Sequence, residues 1–131
     1  MDYKALTVRL SRRGLFRIKP GLERMRAVCA ALCNPQDAVP VIHIAGTNGK
    51  GSVAACLESV LRHAGYRTGL YTSPHLQDVR ERIQLNRQPL LIPAFGRLAR
   101  RVFEAEKAAG LSLTYFEFLT VMAFQSFADG F

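Results

Sequence analysis

The chain has 131 residues, the size of one compact domain, and 49% of them are apolar, which is enough to form a core. This composition excludes a disordered tail and a fibrous repeat. No apolar run reaches the roughly 18 residues that span a bilayer, so we expect no membrane partner. The formal net charge of +8 indicates anionic partners in general. The basic residues are scattered, however, and carry no nucleic-acid-binding signature, so we expect no nucleic acid either.

Cysteine content and the N-terminal segment both indicate the cytoplasm. The basic N-terminal segment lacks the apolar stretch and the cleavage site of a secretory signal. Three cysteines, Cys29, Cys33 and Cys56, cannot all pair with one another, and no histidine or second cysteine pair completes a metal site. We therefore expect buried free thiols in a reducing compartment.

The first predicted helix covers residues 21–32, where apolar residues recur at helical spacing. Asn34 and Pro35 end it. A β-branched run over residues 39–45, VPVIHIA, is typical of a buried strand. A glycine-rich turn over residues 46–51 then leads into a second helix.

The second predicted helix covers residues 52–64, with Gly65 as its C-terminal cap. Its helical spacing predicts an inward face of five apolar residues: Val53, Cys56, Leu57, Val60 and Leu61. A second strand is predicted over residues 68–72, followed by a Ser-Pro-His loop. A small hairpin comes next, with arms over residues 82–86 and 89–92 and its turn at Arg87-Gln88.

The last two predicted helices are a long one between Pro93 and Gly110 and a strongly apolar one over residues 114–128. The inward face of the first is expected to carry Phe95, Leu98, Val102 and Phe103. This order predicts an α/β fold, a P-loop-type parallel sheet with flanking helices. We expect one unit over residues 1–131, with a helical segment at 1–38 and the P-loop portion at 39–131. Only two central strands precede the last helix, so we expect a truncated sheet.

The strongest local signal is a phosphate-binding loop over residues 46–52, GTNGKGS, between a predicted strand and a predicted helix. Its glycines permit positive φ and let backbone N–H groups approach a phosphate closely. The helix N-terminus adds a positive partial charge, and Lys50 can reach terminal phosphate oxygens. Gly51 stands where the usual Walker pattern has a hydroxyl. A magnesium-binding hydroxyl must therefore come from Ser52 or from elsewhere.

Four segments in order resemble the folylpolyglutamate and dihydrofolate synthase branch of the Mur ligase superfamily. They are HIAGTNGKGS at residues 43–52, GLERMR at 21–26, GLYTSPHL at 69–76 followed by ERIQLN at 81–86, and LTYFEFLTVMAF at 113–124. The resemblance implies the family's central ATP-binding domain, truncated before the full sheet and before the glutamate-binding C-terminal domain.

The resemblance also implies an ATP-dependent carboxylate–amine ligase. The γ-phosphoryl group of ATP would pass to a carboxylate of dihydropteroate or a folate, and the amine of L-glutamate would attack the acyl phosphate. Lys50 is expected to be the catalytic cation. Ser73 matches a position that the family uses for Mg²⁺, and Ser52 is the candidate hydroxyl within the loop. The whole ATP-binding set is Gly46, Thr47, Asn48, Gly49, Lys50, Gly51 and Ser52.

A pterin-binding segment is implied at Thr114, Tyr115, Phe116 and Glu117. An aromatic ring there can stack on a flat heterocycle, and the polar side chains can donate or accept hydrogen bonds. Taken alone, the same residues predict a capping box of Thr114 with Glu117 and a core position for Phe116, and both interpretations can hold together. Arg17 to Lys19 match a second pterin-contacting stretch only weakly, because the family version is acidic.

Several features that the resemblance implies lie outside residues 1–131: a metal-binding glutamate, a histidine ligand, a modified lysine and the glutamate-binding domain. We therefore expect this chain, a monomer, to be inactive alone. Two alternatives stay open, another Mur-type amino-acid ligase and a non-catalytic phosphate-binding module.

Overall fold

A computed structural model describes residues 2–130 of the chain. The described part contains five α-helices and three short strands. The helices are α1 (Tyr3–Ser11), α2 (Glu23–Ala31), α3 (Lys50–His63), α4 (Ile92–Ala109) and α5 (Tyr115–Gly130). The strands are β1 (Gly69–Tyr71), β2 (Ile83–Leu85) and β3 (Gln88–Pro89). Within these residues, no helix is both long and apolar enough to cross a membrane.

The three strands form one antiparallel sheet in the order β1-β2-β3. The predicted hairpin is confirmed, but its turn lies at Asn86-Arg87 rather than at Arg87-Gln88. Both turn residues have positive φ, 47° and 67°. Two consecutive residues of this kind match the right-handed twist of the flanking strands, and Asn tolerates that conformation well.

The strand predicted over residues 39–45 is wrong for the part of the chain that the structure describes. This segment pairs with no strand, and Val41 and Ile42 are 62% and 63% exposed. β-Branched residues favour an extended backbone, but a strand also needs a neighbour to bond with its N–H and C=O groups. The expected parallel pairing with residues 68–72 is therefore absent, while the α/β class itself is confirmed.

Helix α5 forms the centre of the core. Its side chains at Phe118, Leu119, Val121 and Met122 are fully buried, because the helix contacts α2, α4, β1 and β2. A helix that is apolar all round is stable in water only when it is covered in this way. The predicted helix over residues 114–128 is confirmed to within two residues at each end, and so is its burial, except at Phe116, which is exposed.

Helix α4 packs against α5 and α2 through the face that its periodicity predicts. Phe95, Leu98 and Val102 are buried, and Phe103 is half-buried. Gly110 ends the helix with φ +68°, as expected of a left-handed C-terminal cap.

The helix predicted over residues 52–64 is confirmed as α3, but its inward face is wrong. Val53, Leu57 and Val60 are exposed, Val60 by 66%, and the buried residue of this helix is Glu58. Periodicity shows that a helix has an apolar side, but it does not show whether this chain supplies the surface that covers it.

Helix α1 was not predicted, although Leu6 and Leu10 on it are buried. The three cysteines are free as expected. Only Cys29 is buried, however, so the expectation of buried thiols is wrong for Cys33 and Cys56.

A partly buried ion pair joins the segment after α1 to the end of α4. Both terminal nitrogens of Arg13 donate to the Glu106 carboxylate, and one of them also donates to the carbonyl of Leu113. Glu106 accepts the backbone N–H of Leu113 as well, at 2.7 Å. The guanidinium lies 4.5 Å from the centroid of the Phe118 ring. One carboxylate thus fixes the position of α1 and of the turn before α5.

We predict that Glu106→Ala lowers the free energy of unfolding by about 2 kcal/mol, since it leaves the buried amide of Leu113 unpaired and the partly buried Arg13 guanidinium with only the Leu113 carbonyl. Urea denaturation followed by circular dichroism measures this. Glu104→Ala is the matched control, because Glu104 is exposed on the same helix. Its effect should stay within about 0.5 kcal/mol. Equal effects of the two variants would contradict a structural role for the pair.

Candidate functional site

The predicted phosphate loop lies at the N-terminus of α3. Residues 46–49 are irregular, and all seven residues from Gly46 to Ser52 are exposed. Gly46 and Gly49 have φ values of 151° and 75°, which favour glycine at both positions. The Lys50 ammonium bends back over the loop and donates to the carbonyls of Gly46, at 2.5 Å, and Thr47, at 3.4 Å. The cation is thereby held above the loop.

Gly51 occupies the first turn of α3 without a packing requirement for glycine. A Cβ built at this position meets no atom within 4 Å, and its φ is not positive. Glycine in a helix costs about 1 kcal/mol relative to alanine, so neither the backbone nor the neighbours explain it. The open space beside Gly51 suits the close approach of a ligand.

We predict that Gly51→Ala leaves stability unchanged or raises it by up to about 1 kcal/mol. It should weaken nucleotide binding by about tenfold, because the methyl group enters the space beside the loop. Isothermal titration with ATP and thermal unfolding measure the two effects.

Gly96→Ala is the matched control for this prediction, since Gly96 lies inside α4 and a Cβ there also meets nothing within 4 Å. It should change stability alone. Equal nucleotide affinity in both variants would mean that the space beside Gly51 is not ligand space.

A buried carboxylate holds α3 to the sheet. Glu58 accepts hydrogen bonds from Thr68 Oγ1 at 2.7 Å, from Arg62 Nε at 3.0 Å and from Arg87 Nη1 at 3.4 Å. Burial acts to raise the pKa of Glu58, but these three donors outweigh it and lower the pKa. Since Thr68 precedes β1 and Arg87 belongs to the hairpin turn, Glu58 sets where the phosphate loop lies relative to the sheet.

The Ser73 loop follows β1. Helix α3 packs against β1 and is joined to it by a short turn, so the two run in opposite directions. The end of β1, which leads to Ser73, therefore lies toward the same side as Lys50. The Ser73 side chain is exposed, and the Ser73-Pro74 peptide bond is cis.

The Glu81 side chain fixes the backbone of this loop. Its carboxylate accepts the backbone N–H groups of Leu76, Gln77 and Asp78 at 2.8–3.0 Å. These backbone hydrogen bonds lower the pKa of Glu81. One ionised side chain thus fixes three consecutive peptide groups beside residues 73–75.

Arg82 links the loop to α5. Its Nε donates to His75 Nδ1 at 2.9 Å, and its guanidinium lies 5.4 Å from the Tyr115 ring centroid. Next to it, the hydroxyl groups of Tyr71 and Thr120 are 3.1 Å apart. Burial raises the pKa values of Tyr71 and Tyr115. The surface between the Ser73 loop and α5 is therefore lined by Arg82 and by the aromatic side chains of Tyr71 and Tyr115.

Of the four residues expected to contact a pterin, Phe116 alone is exposed, by 50%. Its ring centroid lies 6.1 Å from that of Tyr71. Thr114 and Glu117 form the expected capping box, in which Glu117 accepts the Thr114 N–H at 2.9 Å and Thr114 Oγ1 accepts the Glu117 N–H. The capping-box interpretation is thus confirmed, and the core position for Phe116 is wrong. Tyr115 is buried.

Arg24, on α2, pairs with Glu117 at the N-terminal end of α5. Its Nη2 donates to Glu117 Oε1 at 2.7 Å, and its Nε lies 3.3 Å from Oε2. Burial acts to raise the pKa of Glu117, but the hydrogen bonds and charge of Arg24 and the backbone bond of Thr114 outweigh it and lower the pKa. Both carboxylate oxygens are therefore committed to the protein itself.

We predict a stability loss at acid pH that depends on Glu117. Because folding lowers the pKa of this group, its contribution is present above the ordinary value of 4.5 and is lost as the pH falls below it. Glu117→Gln should lower stability by about 1–2 kcal/mol at pH 7 and flatten this part of the profile. Thermal unfolding between pH 3 and pH 7 measures both; an unchanged slope would contradict the assignment.

The donors for Mg²⁺ are sparse in this part of the chain. Residues 2–130 contain no group of three or more His, Cys, Asp or Glu side chains placed to hold a metal ion. The hydroxyl groups of Ser52 and Ser73 are hard oxygen donors of the kind that Mg²⁺ accepts when phosphate oxygens and water complete its octahedron. They fit a metal that arrives with a nucleotide rather than a resident ion.

Sequence reasoning missed the residues that position the site: Glu58, Glu81, Arg82 and Arg24. Three of them stood in segments already noted, Arg24 in GLERMR and Glu81 with Arg82 in ERIQLN. The signal that could have identified these three was their charge, since they lie in motifs for which no phosphate-binding role is predicted. Glu58 had no such signal, because a single glutamate on an apolar helix usually faces solvent.

Comparison with known proteins identifies relatives of one kind. No protein-family model matches the chain. Dihydrofolate synthetase of Saccharomyces cerevisiae is 40% identical over 112 residues, which are 86% of this chain and 26% of that protein. Folylpolyglutamate synthase of Mycobacterium tuberculosis, solved in complex with ADP, superposes with a TM-score of 0.86 at 37% identity. This match covers 98% of this chain and 31% of the other.

A second solved structure, Escherichia coli FolC in complex with DHPP and ADP, superposes with a TM-score of 0.89 at 35% identity. It covers 99% of this chain and 31% of its own. These folylpolyglutamate and dihydrofolate synthases are ATP-dependent ligases. The homologues and structural neighbours of this chain are thus folylpolyglutamate and dihydrofolate synthases, and the chain spans between 13% and 34% of their length.

Proposed function

We propose that this chain binds the phosphates of ATP and forms the nucleotide-binding part of a ligase that adds L-glutamate to dihydropteroate or a folate. The observation that carries the proposal is the loop over residues 46–52. Lys50 is held over it by the loop's own carbonyls, and Gly51 faces open space that nothing in the described chain fills. The ADP bound to two of the structural neighbours supports the same ligand.

The loop acts on the nucleotide through charge and backbone amides. The N-terminus of α3 directs free N–H groups at the phosphates, and Lys50 neutralises negative charge on the terminal phosphate. Its ammonium would exchange its bonds to the carbonyls of Gly46 and Thr47 for bonds to phosphate oxygens. Thr47, Asn48 and Ser52 complete the ring of donors around the loop.

Mg²⁺, when bound with the nucleotide, supplies further neutralisation of the phosphate oxygens. Ser52 and Ser73 would hold it through their hydroxyl groups. The fixed backbone around Glu81 keeps Ser73 at the end of β1, so that the hydroxyl needs little reorganisation. Positioning of this kind is the main contribution a protein makes to phosphoryl transfer.

In the proposed reaction, the carboxylate of dihydropteroate or a folate attacks the γ-phosphorus, giving ADP and an acyl phosphate. The glutamate amine then attacks the acyl carbon, forms the amide, loses a proton and releases phosphate. Phe116 is the residue of this chain best placed to stack on a pterin, since its ring is exposed beside Tyr71. Thr114, Tyr115 and Glu117 are buried and fix the start of α5, which carries the Phe116 ring.

The proposed organisation treats residues 39–131 as the P-loop portion and residues 1–38 as a helical segment. Helices α1 and α2 in the latter both contact α4. The catalytic activity is proposed for the whole protein of which such a segment is part, and residues 1–131 alone are proposed to bind ATP without turnover.

We predict that Lys50→Ala weakens ATP binding by about 1–3 kcal/mol, or roughly 5- to 150-fold, the scale for a charged hydrogen bond. Isothermal titration at fixed ionic strength measures the dissociation constant. Lys4→Ala is the matched control, because Lys4 is exposed on α1, outside the loop. Equal affinities in the two variants would overturn the loop assignment.

Turnover distinguishes the alternatives. Incubation of the chain with ATP, Mg²⁺, dihydropteroate or tetrahydrofolate, and glutamate should leave ADP release at the background rate while ATP still binds. Sustained release of ADP that needs a cell-wall precursor instead of a folate would favour another Mur-type ligase.

A further inference from the structure

A second groove lies between α1 and α4, away from the loops described above. It encloses about 680 Å³, within the range of sites for small molecules. None of its lining residues belongs to the phosphate loop, the Ser73 loop or the start of α5. Its apolar floor and walls are formed by Leu6, Ile92, Pro93, Gly96 and Phe103.

The rim of the groove is cationic. Arg9 on α1 and Arg97, Arg100 and Lys107 on α4 line it, against one carboxylate, Glu104, which gives four positive charges and one negative. On α4 these residues follow one another at spacings of three and seven, so they share one face of the helix. The face extends over about 15 Å between Arg97 and Lys107, at 1.5 Å per residue.

These cations are not neutralised by the described part of the chain. The side chains of Arg97, Arg100 and Lys107 make no ion pair or hydrogen bond within residues 2–130. Arg9 lies over the Phe103 ring, with its guanidinium carbon 3.9 Å from the ring centroid. By contrast, Arg101 on the other side of α4 pairs with Asp129. The rim of the groove thus carries positive charge that no carboxylate of residues 2–130 pairs with.

We propose that this groove binds a small amphipathic anion, a molecule with an apolar body and a carboxylate, sulfonate or phosphate group. The apolar floor would take the body, and Arg97 with Arg100 would hold the anionic group. A purely apolar ligand would gain nothing from the cations of the rim, and a simple inorganic anion would gain nothing from the apolar floor. This assignment is independent of nucleotide binding at Lys50.

The experiment uses a matched pair of fluorescent probes, 8-anilinonaphthalene-1-sulfonate and its uncharged counterpart N-phenyl-1-naphthylamine. We expect saturable binding of the sulfonate with a stoichiometry of one at the groove, and at least tenfold weaker binding of the uncharged probe. Amide chemical shifts of Gly96 and Phe103 should move on titration, and those of Val53 and Val60 on the exposed face of α3 should not.

Arg97→Gln and Arg100→Gln should each weaken binding of the sulfonate by about three- to tenfold and leave binding of the uncharged probe unchanged. Arg26→Gln, an exposed position on α2 outside the groove, is the matched control and should change neither. Equal affinity for both probes, or shifts confined to α3, would overturn the proposal. Unchanged sulfonate affinity in both groove variants would overturn it as well.

Discussion

The ion pair between Arg24 and Glu117 joins the start of α2 to the start of α5. Glu117 caps the first turn of α5, and the same carboxylate binds Arg24 at the start of α2. Because α5 is the most buried helix, anything that fixes its first turn also fixes the surfaces around it. One result is that Phe116 faces outward while its neighbours Tyr115 and Glu117 face inward. The proposed substrate contact therefore depends on a salt bridge that itself contacts no substrate.

The same arrangement recurs across the candidate site. Glu58 positions α3, Glu81 positions the loop of Ser73, and Glu106 positions the turn before α5. In each case a carboxylate accepts several donors from segments that are distant or irregular. Of these carboxylates, Glu58 and Glu106 are buried, whereas Glu81 is partly exposed, so what the three share is that each holds several donors in place and not the depth at which it lies. The exposed phosphate loop and Ser73 thus gain fixed positions from residues behind them.

The sequence predicted local structure well and long-range burial poorly. The extents of α4 and α5 followed from periodicity and from Gly110, which needs positive φ. The phosphate loop was found from its glycines, since their backbone requirement is local. The exposure of residues 39–45 and of the apolar face of α3 was not predictable, because burial depends on which surfaces pack against these segments. Nor could the partners of Glu58 be found, since Thr68 and Arg87 are brought to it only by the hairpin.

The unpaired segment over residues 41–45 has a consequence for the behaviour of the protein in solution. Within residues 2–130 its backbone pairs with no strand, and the side chains of Val41 and Ile42 are exposed. Such an edge is a template for strand addition by any extended chain, including a second copy. Self-association through this segment should therefore increase as the protein concentration rises.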